Sequence, residues 1–197
     1  MPTIDWPLSL VPAKSTWGLQ SNTEAFTSPL NRSVQTVERP GARWKASWEF
    51  PPKNDFERGL LEAFLASLGG MAGRFTVWPH QRPGNSLYSP MVNGNLTDFR
   101  MLPSFNWAPN AVVLRAGDYI AAGGELKIVT ADVATNAIGL ATIPVSPPFR
   151  KQPGNLAPIT TDRPRATMML ASDEYSISVL PGRISDAVVI SAVEVFL

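Results

Sequence analysis

The stretch formed by residues 115–150 places the strongest constraint on what this chain can fold into. Three short apolar runs in it are separated by turn-forming residues. The runs are 119–121, 126–130 and 138–145. The first turn contains Gly123 and Gly124, which adopt positive φ without a Cβ clash. Strands joined by loops this short pair as antiparallel neighbours, so the stretch predicts a three-stranded meander that suits the wall of a barrel or sandwich.

Nineteen prolines and 14 glycines divide the 197 residues into many short segments. The proline share is about twice the average usage of ~5%. Proline ends strands because its nitrogen has no hydrogen to donate to the ladder. We therefore expect many short strands joined by shaped loops, which is typical of an all-β or β-dominated fold.

The number of charged residues and the net charge limit which kinds of partner this chain is expected to bind. Charged residues make up 17% of the chain, below the ~25% that is usual for soluble domains. Two interpretations stay open: partners cover part of the surface, or the chain is a well-packed β protein. A net charge of +1 gives no global basic field for nucleic acid or anionic membrane. We therefore expect no sequence-specific nucleic-acid partner and no membrane partner.

The absence of cysteine excludes disulfides, thiolate nucleophiles and cysteine metal sites, and it fits assembly in a reducing cytoplasm. The amino-terminal residues lack the basic-then-apolar pattern of a signal peptide. No apolar run approaches the ~20 residues that a membrane helix needs. We therefore expect neither a secretory leader nor a membrane anchor.

One strand and one helix have clear local signals. Trp44, Ala46, Trp48 and Phe50 alternate with polar residues, which predicts a strand with one buried face. Two tryptophans on one face are also compatible with a sugar- or base-stacking platform, although core packing is favoured. The fold class predicted overall is mainly β, an antiparallel β-barrel or sandwich with one packed α-helix at about residues 55–68.

The predicted helix has signals at both ends. Asn54 is a suitable N-cap, and Glu57 follows it at the spacing of a capping box. Gly69 and Gly70 supply the left-handed residue that ends many helices. The apolar residues predict one broad buried stripe with its centre on a four-residue repeat. The members of that repeat are Phe56, Leu60, Phe64 and Leu68, and the flanking Leu61 and Leu65 belong to the same stripe.

Residues 1–32 are predicted to form an amino-terminal arm with one or two short strands. The arm carries several aromatic residues, too many for a plain disordered tail. We expect it to pack either on its own barrel or on a neighbouring subunit. Residues 33–197 are predicted to form a single β-barrel-type domain. Strands near its end are expected at 166–170, 175–180 and 187–196, the last closing the barrel.

Residues 79–113 are rich in Pro, Asn, Gly and Ser and are predicted to form a long projecting loop. Short strands are expected within it at about 96–101 and 112–114. Its aromatic residues lie among polar neighbours, as in segments that meet a partner, although a connecting loop folded on its own barrel stays the alternative. Together with the aromatic residues of the arm they are our candidate subunit contacts. These are Trp6, Trp17, Phe26, Phe99, Phe105 and Trp107.

The sequence contains no constellation that points to chemistry. His80 is the only histidine, and no Asp or Glu lies between residues 63 and 97, so metal-ligand spacing is poor. No G-x-S-x-G nucleophile elbow and no glycine-rich phosphate loop is present. We therefore expect no catalytic residue, no cofactor and no metal, and we do not expect an enzyme.

The order of features resembles a family. A Trp-rich strand at 43–50 precedes a helix, glycine turn and strand at 61–78 (LEAFLASLGGMAGRFTVW). A long Pro/Asn loop, a GDYI hairpin at 117–120 and a proline-ended strand within 139–150 follow. This order is similar to that of distal tail proteins and related tail-tip components of long-tailed bacteriophages, and the resemblance spans about residues 34–170.

The resemblance implies a β-barrel core with a helix packed on it, in a ring of usually six subunits at the end of the tail tube. Such a ring joins the tail tube protein to the hub or tip proteins of the virion tail, and DNA passes through its lumen. Many family members add a second, galectin-like domain for receptor-binding proteins, which this chain is too short to contain clearly.

A second hypothesis comes from a different class. Six tryptophans and aromatic residues in predicted loops are compatible with a carbohydrate- or receptor-binding β module of a tail or cell-surface protein. Binding of sugars that depends on Trp107 would favour this module over the ring subunit.

Overall fold

The structure, a computed structural model that describes residues 3–196, contains two main β-sheets, three two-stranded ribbons and one α-helix. The chain is therefore mainly β with one helix, as the sequence predicts. The elements in chain order are β1 (Thr3–Asp5), β2 (Lys14–Gln20), β3 (Thr23–Thr27), β4 (Val34–Glu38), β5 (Arg43–Phe50), α1 (Asp55–Leu68), β6 (Arg74–Val77), β7 (Met91–Val92), β8 (Met101–Phe105), β9 (Val112–Leu114), β10 (Tyr119–Ala122), β11 (Glu125–Val129), β12 (Val133–Ala134), β13 (Ala141–Ser146), β14 (Ala166–Leu170), β15 (Val179–Leu180), β16 (Ile184–Ser185) and β17 (Val188–Glu194).

The larger sheet has six strands in the order β1-β6-β14-β17-β5-β2. Its pairs are antiparallel except for β1, which runs parallel to β6. The alternation in β5 is confirmed, because Trp44, Ala46, Trp48 and Phe50 are all buried. These side chains cover the first hydrophobic core together with Phe75 of β6.

The carboxy-terminal strand β17 is confirmed as a strand but lies inside the larger sheet, between β14 and β5. It links β5 to the strands β14 and β6, and its expected closure of a barrel stays a prediction. The two edges of this sheet are β1 and β2, and both come from the predicted amino-terminal arm. The strand expected at 175–180 is reduced to β15.

The helix α1 begins and ends at the predicted residues. Asn54 Oδ1 accepts a hydrogen bond from the Glu57 backbone N–H at 2.9 Å, and Gly69 is left-handed with φ 60°. Four of the six residues in the predicted stripe are buried, and the helix packs through Leu61, Phe64, Leu65 and Leu68. The two amino-terminal members of the predicted repeat face outward instead: Phe56 is 75% exposed and Leu60 is 38% exposed.

The smaller sheet has five strands in the order β10-β11-β13-β8-β7 and covers a second hydrophobic core. In the sequence, this sheet lies between β6 and β14, and these two strands pair with each other in the larger sheet. The chain therefore leaves the larger sheet after β6 and returns to it beside β6. Residues 79–113 therefore do not project as one loop, since they contribute β7, β8 and β9. The predicted strand at 96–101 is displaced, and β8 begins at Met101. The described residues of the predicted domain, 33–196, contribute to both hydrophobic cores, and the prediction of a single barrel-type domain stays a prediction.

The hairpin of β10 and β11 is shared by the two cores. Gly123 and Gly124 form its two-residue turn with φ of 58° and 79°, as a type I′ turn requires. Leu126 belongs to the first core, whereas Ile120 belongs to the second. The predicted meander is confirmed, with β13 paired to β11. Both faces of this hairpin are buried, so it joins the two sheets.

The predicted arm is folded into the chain. β1 and β2 pair with β6 and β5, while β3 and β4 pair with each other as a hairpin of residues 23–38. The boundary predicted at residues 32 and 33 lies inside the turn of this hairpin. Residues 1 and 2, the start of the predicted arm, and residue 197 lie outside the described residues.

The helix gives a matched pair of test substitutions. Phe64 is 5% exposed, so Phe64→Ala is expected to lower the free energy of unfolding by about 3–5 kcal/mol. The exposed Phe56 is the control, and Phe56→Ala is expected to change stability by no more than about 0.5 kcal/mol. Urea unfolding followed by tryptophan fluorescence measures both. Equal losses for the two variants would contradict the helix orientation.

Candidate assembly surface

Two of the six predicted contact residues are buried inside the chain. Trp6 is 2% exposed, and its Nε1–H donates to the Leu10 carbonyl at 2.8 Å. Trp107 is 5% exposed, and its Nε1–H donates to Ser104 Oγ at 2.9 Å. Each side chain fills a hydrophobic core and has its polar atom satisfied. We therefore remove both from the candidate subunit contacts.

The remaining four predicted contact residues differ in solvent exposure. Trp17 and Phe105 are half-buried, on β2 and β8 respectively. Phe26 is 66% exposed and Phe99 is 41% exposed. The structure thus does not bring the six residues together in one site. Phe26 and Phe99 remain as the exposed aromatic candidates. Phe26 lies on β3 of the β3–β4 hairpin, and Phe99 precedes Arg100, which pairs with Glu38 of that hairpin.

The β3–β4 hairpin is exposed on both faces along its whole length. In its register Phe26 opposes Gln35 and Thr27 opposes Val34, so apolar residues lie on both faces. A two-stranded hairpin alone is marginally stable in water. Four large apolar side chains on this one element are exposed to solvent. They are Phe26 at 66%, Leu30 at 95%, Val34 at 59% and Val37 at 57%.

Two ion pairs connect the hairpin to itself and to the body of the chain. Arg39 Nη2 donates to Glu24 at 2.7 Å, and Arg100 Nη2 donates to Glu38 at 2.5 Å. All four side chains are about half exposed or more. Exposed pairs contribute roughly 0–1 kcal/mol each, so they orient the hairpin without fixing it strongly.

A concave pocket lies at the root of the hairpin, and we call it the root pocket. Its volume is about 450 Å³, and its walls are mainly apolar. Phe99 lies on this pocket, which places one predicted contact residue beside the hairpin. The lining residues are 38–42, 99–100 and 147–150.

Behind the root pocket, a buried charge network links the two sheets. Lys127 Nζ is fully buried and donates to Glu125 at 2.6 Å and to the Pro148 carbonyl at 3.0 Å. Arg150 lies 3.5 Å from Glu125 and 3.3 Å from Glu194. We call Glu125, Lys127, Arg150 and Glu194 the seam network. It contains two acids and two bases, so its formal charge is zero.

Burial shifts the pKa of two members of this network. Burial lowers the pKa of Lys127, and the hydrogen bond from its ammonium to Glu125 opposes that change. Burial raises the pKa of Glu194, against the hydrogen bond that its carboxylate accepts from the Trp44 N–H at 3.0 Å. Both directions reflect the cost of buried charge. The network therefore joins β5, β11 and β17, and nothing in it resembles a catalytic arrangement.

His80 and the acidic side chains are the remaining groups with potential for chemistry. His80 lies between Trp6 and Trp78, with ring centroids 5.9 and 5.0 Å away, and burial lowers its pKa. Within residues 3–196, no group of three or more His, Cys, Asp or Glu side chains is arranged to hold a metal ion. No helix in the same range is long and apolar enough to cross a membrane.

An open sheet edge lies beside the hairpin. β2 has seven residues and pairs only with β5 in the described part of the chain, so its outer side carries unpaired backbone groups. On the face of β2 that packs against the first core, Ser15 Oγ and Trp17 Nε1 are buried without a hydrogen-bond partner among the described residues. Such edges template pairing with another chain unless they are covered.

Sequence reasoning did not identify Leu30, Val34 and Val37 as surface residues. The signal that could have found them is a turn of Pro29 and polar residues between two short β-prone runs, which predicts a hairpin. Both faces of the hairpin are exposed because it extends away from the larger sheet. Its position relative to that sheet cannot be predicted from the local sequence.

No protein-family model matches this chain, and no curated protein is recognisably similar to it.

The seam network predicts a large effect of one conservative substitution. Glu125→Gln leaves the buried Lys127 ammonium without its carboxylate, so we expect a loss of about 3–5 kcal/mol in the free energy of unfolding. Glu49→Gln, at an exposed position of β5, is the control and should change stability by no more than about 0.5 kcal/mol. Urea unfolding at neutral pH measures both variants. A Glu125→Gln protein as stable as the control would contradict the buried pair.

Proposed function

We propose that this chain is a structural subunit of the tail tip of a long-tailed bacteriophage. In this proposal, copies form a ring, with six subunits as the expected number. The ring joins the tail tube to the hub or baseplate and leaves a channel for DNA. The subunit resides in the virion tail after assembly in the host cytoplasm, and it acts without a cofactor.

The observation that carries this proposal is the β3–β4 hairpin. A ribbon with two solvent-facing sides and four exposed apolar side chains gains stability only when another surface covers it. Exposed apolar patches of this kind mark protein–protein interfaces. A structural subunit that is completed by its neighbours accounts for such an element, whereas a self-sufficient monomer does not.

The sheet edge supports a head-to-tail arrangement. The open strand β2 and the hairpin are different surfaces of one chain, so contact between them in two copies is heterologous. Heterologous contacts form rings when the rotation closes. The near-neutral net charge of +1 also suits a DNA conduit, because a strongly basic lumen would retain the genome.

The carbohydrate-binding alternative loses one of its two motives, the tryptophans, whereas exposed aromatic residues such as Phe99 remain. All six tryptophans lie in the described residues, and none of them is exposed: Trp17 is half-buried and the other five are buried. A stacking platform needs an open aromatic face. Substitution of Trp107 would damage a core, so it is no longer a clean test of sugar binding.

Self-association is tested by the mass of the purified protein in solution over a wide concentration range. We expect assemblies near six times the chain mass of 21.4 kDa at high concentration. Phe26→Asp places a charge on the exposed hairpin and should shift assembly to at least tenfold higher concentration. Ile138→Asp is the control, because Ile138 is 74% exposed on another part of the chain. Equal assembly of both variants would exclude the hairpin as the interface.

Location is tested separately, because some tail proteins assemble only on their template. Immunogold labelling of purified virions of the phage that encodes this chain should place the protein at the distal end of the tail tube. A protein that is monomeric at every concentration and absent from virions would refute the proposal.

A further inference from the structure

We propose that the hairpin tip of one copy inserts Leu30 into the root pocket of the next copy. This inference rests on the proposed function, since it specifies how the subunits of the ring are joined. The occupant of the pocket is thus a second copy of this chain, through its residues 28–31.

The tip is a shaped apolar projection. Leu30 is 95% exposed, the largest exposed fraction among the large apolar side chains of the described residues. The turn around it is held by backbone hydrogen bonds from Ser28 to Ser33 and from Arg32 to Ser28, at 2.8 and 3.0 Å. Asn31 Oδ1 also accepts from the Ser33 N–H at 3.0 Å and from its Oγ–H at 2.8 Å. A turn that is already ordered loses little conformational entropy on binding.

The root pocket is suited to this projection in size and polarity. Its volume of about 450 Å³ accommodates a leucine side chain together with the adjacent proline ring. Phe99, Phe149 and Pro40 supply apolar walls for contact. Burial of Leu30 against these walls removes apolar surface from water on both copies, which is favourable.

The charges of the pocket favour an uncharged occupant. Its arginines are paired within the chain: Arg39 with Glu24, Arg100 with Glu38, and Arg150 with Glu125 and Glu194. The pocket therefore presents no unpaired charge that would favour a charged ligand. The tip residues 28–31 read Ser-Pro-Leu-Asn and are uncharged. Insertion of the uncharged segment 28–31 is compatible with the internally neutralised pocket, because it buries no unpaired charge, and Arg32 lies outside that segment.

The two halves of the contact lie at opposite ends of one hairpin. Strand β3 has five residues, so the tip extends about 17 Å from the root at the rise of an antiparallel strand. A rigid hairpin therefore cannot fill its own pocket, and the contact runs from one copy to the next. Because residues 38 and 39 belong to the pocket and also form the ion pairs of the hairpin, an occupied pocket orients the hairpin that reaches the following copy.

The contact is tested by disulfide trapping in a chain that has no native cysteine. One full-length variant carries Leu30→Cys at the tip, and a second, size-tagged variant carries Ala42→Cys in the pocket wall. The two are mixed under assembling conditions and oxidised. We expect the mixed disulfide dimer as the main product. Leu87→Cys replaces Leu30→Cys in the control, because Leu87 is 75% exposed away from the pocket, and should give at least tenfold less.

A second measurement does not depend on cysteine chemistry. Leu30→Ser should weaken self-association by about tenfold to a hundredfold, as the loss of one buried leucine predicts. Leu87→Ser should leave it within about twofold. Both positions are exposed in the monomer, so neither substitution is expected to impair folding.

The outcomes separate this inference from the proposed function. A ring that forms without the mixed disulfide, and that tolerates Leu30→Ser, would overturn the inference and leave the ring intact. A protein that stays monomeric at every concentration, free or on tail templates, would overturn both. Preferential trapping of Leu30→Cys with Ala42→Cys, together with weaker assembly of Leu30→Ser, supports both.

Discussion

The fold depends on the β10–β11 hairpin, which is buried on both faces between two hydrophobic cores. Leu126 packs into the first core and Ile120 into the second, so one ribbon holds the two sheets together. The buried pair of Lys127 and Glu125 lies on the same hairpin and connects to Arg150 at the seam. Because a buried charge without its partner is costly, this network favours one relative arrangement of the sheets.

The sequence predicts the features that local chemistry decides. The alternation from Trp44 to Phe50, the Asn54 cap and the Gly123–Gly124 turn each act through neighbouring residues, and each is confirmed. The inserted sheet is not predictable in the same way, because β6 and β14 pair across almost 90 intervening residues. The exposure of Phe56 follows from the direction in which the helix lies on the sheet, which the periodic repeat does not specify.

The apolar surface of the β3–β4 hairpin could be predicted only in part, because its exposure also depends on the tertiary structure. Aromatic residues in an irregular segment suggest either a partner or a core, and composition does not separate the two. Trp6 and Trp107 are buried in the hydrophobic cores. Phe26, on the hairpin, and Phe99, beside it, are exposed. Two of the six aromatic candidates thus lie at or beside the hairpin, and the exposed aliphatic residues Leu30, Val34 and Val37 belong to the same apolar surface. The chain thus has two hydrophobic cores and one hairpin that is exposed on both faces, which is the surface that our proposal assigns to a neighbouring copy.

Amide hydrogen exchange tests the central claim most directly, because it reports the covering of the hairpin residue by residue. Dilute and concentrated samples are compared. The account predicts that residues 23–38 exchange rapidly when dilute and become strongly protected on assembly, while β10 and β11 stay protected in both samples. If assembled protein showed no added protection in residues 23–38, the hairpin would not be the element that joins the subunits, and the account would be contradicted.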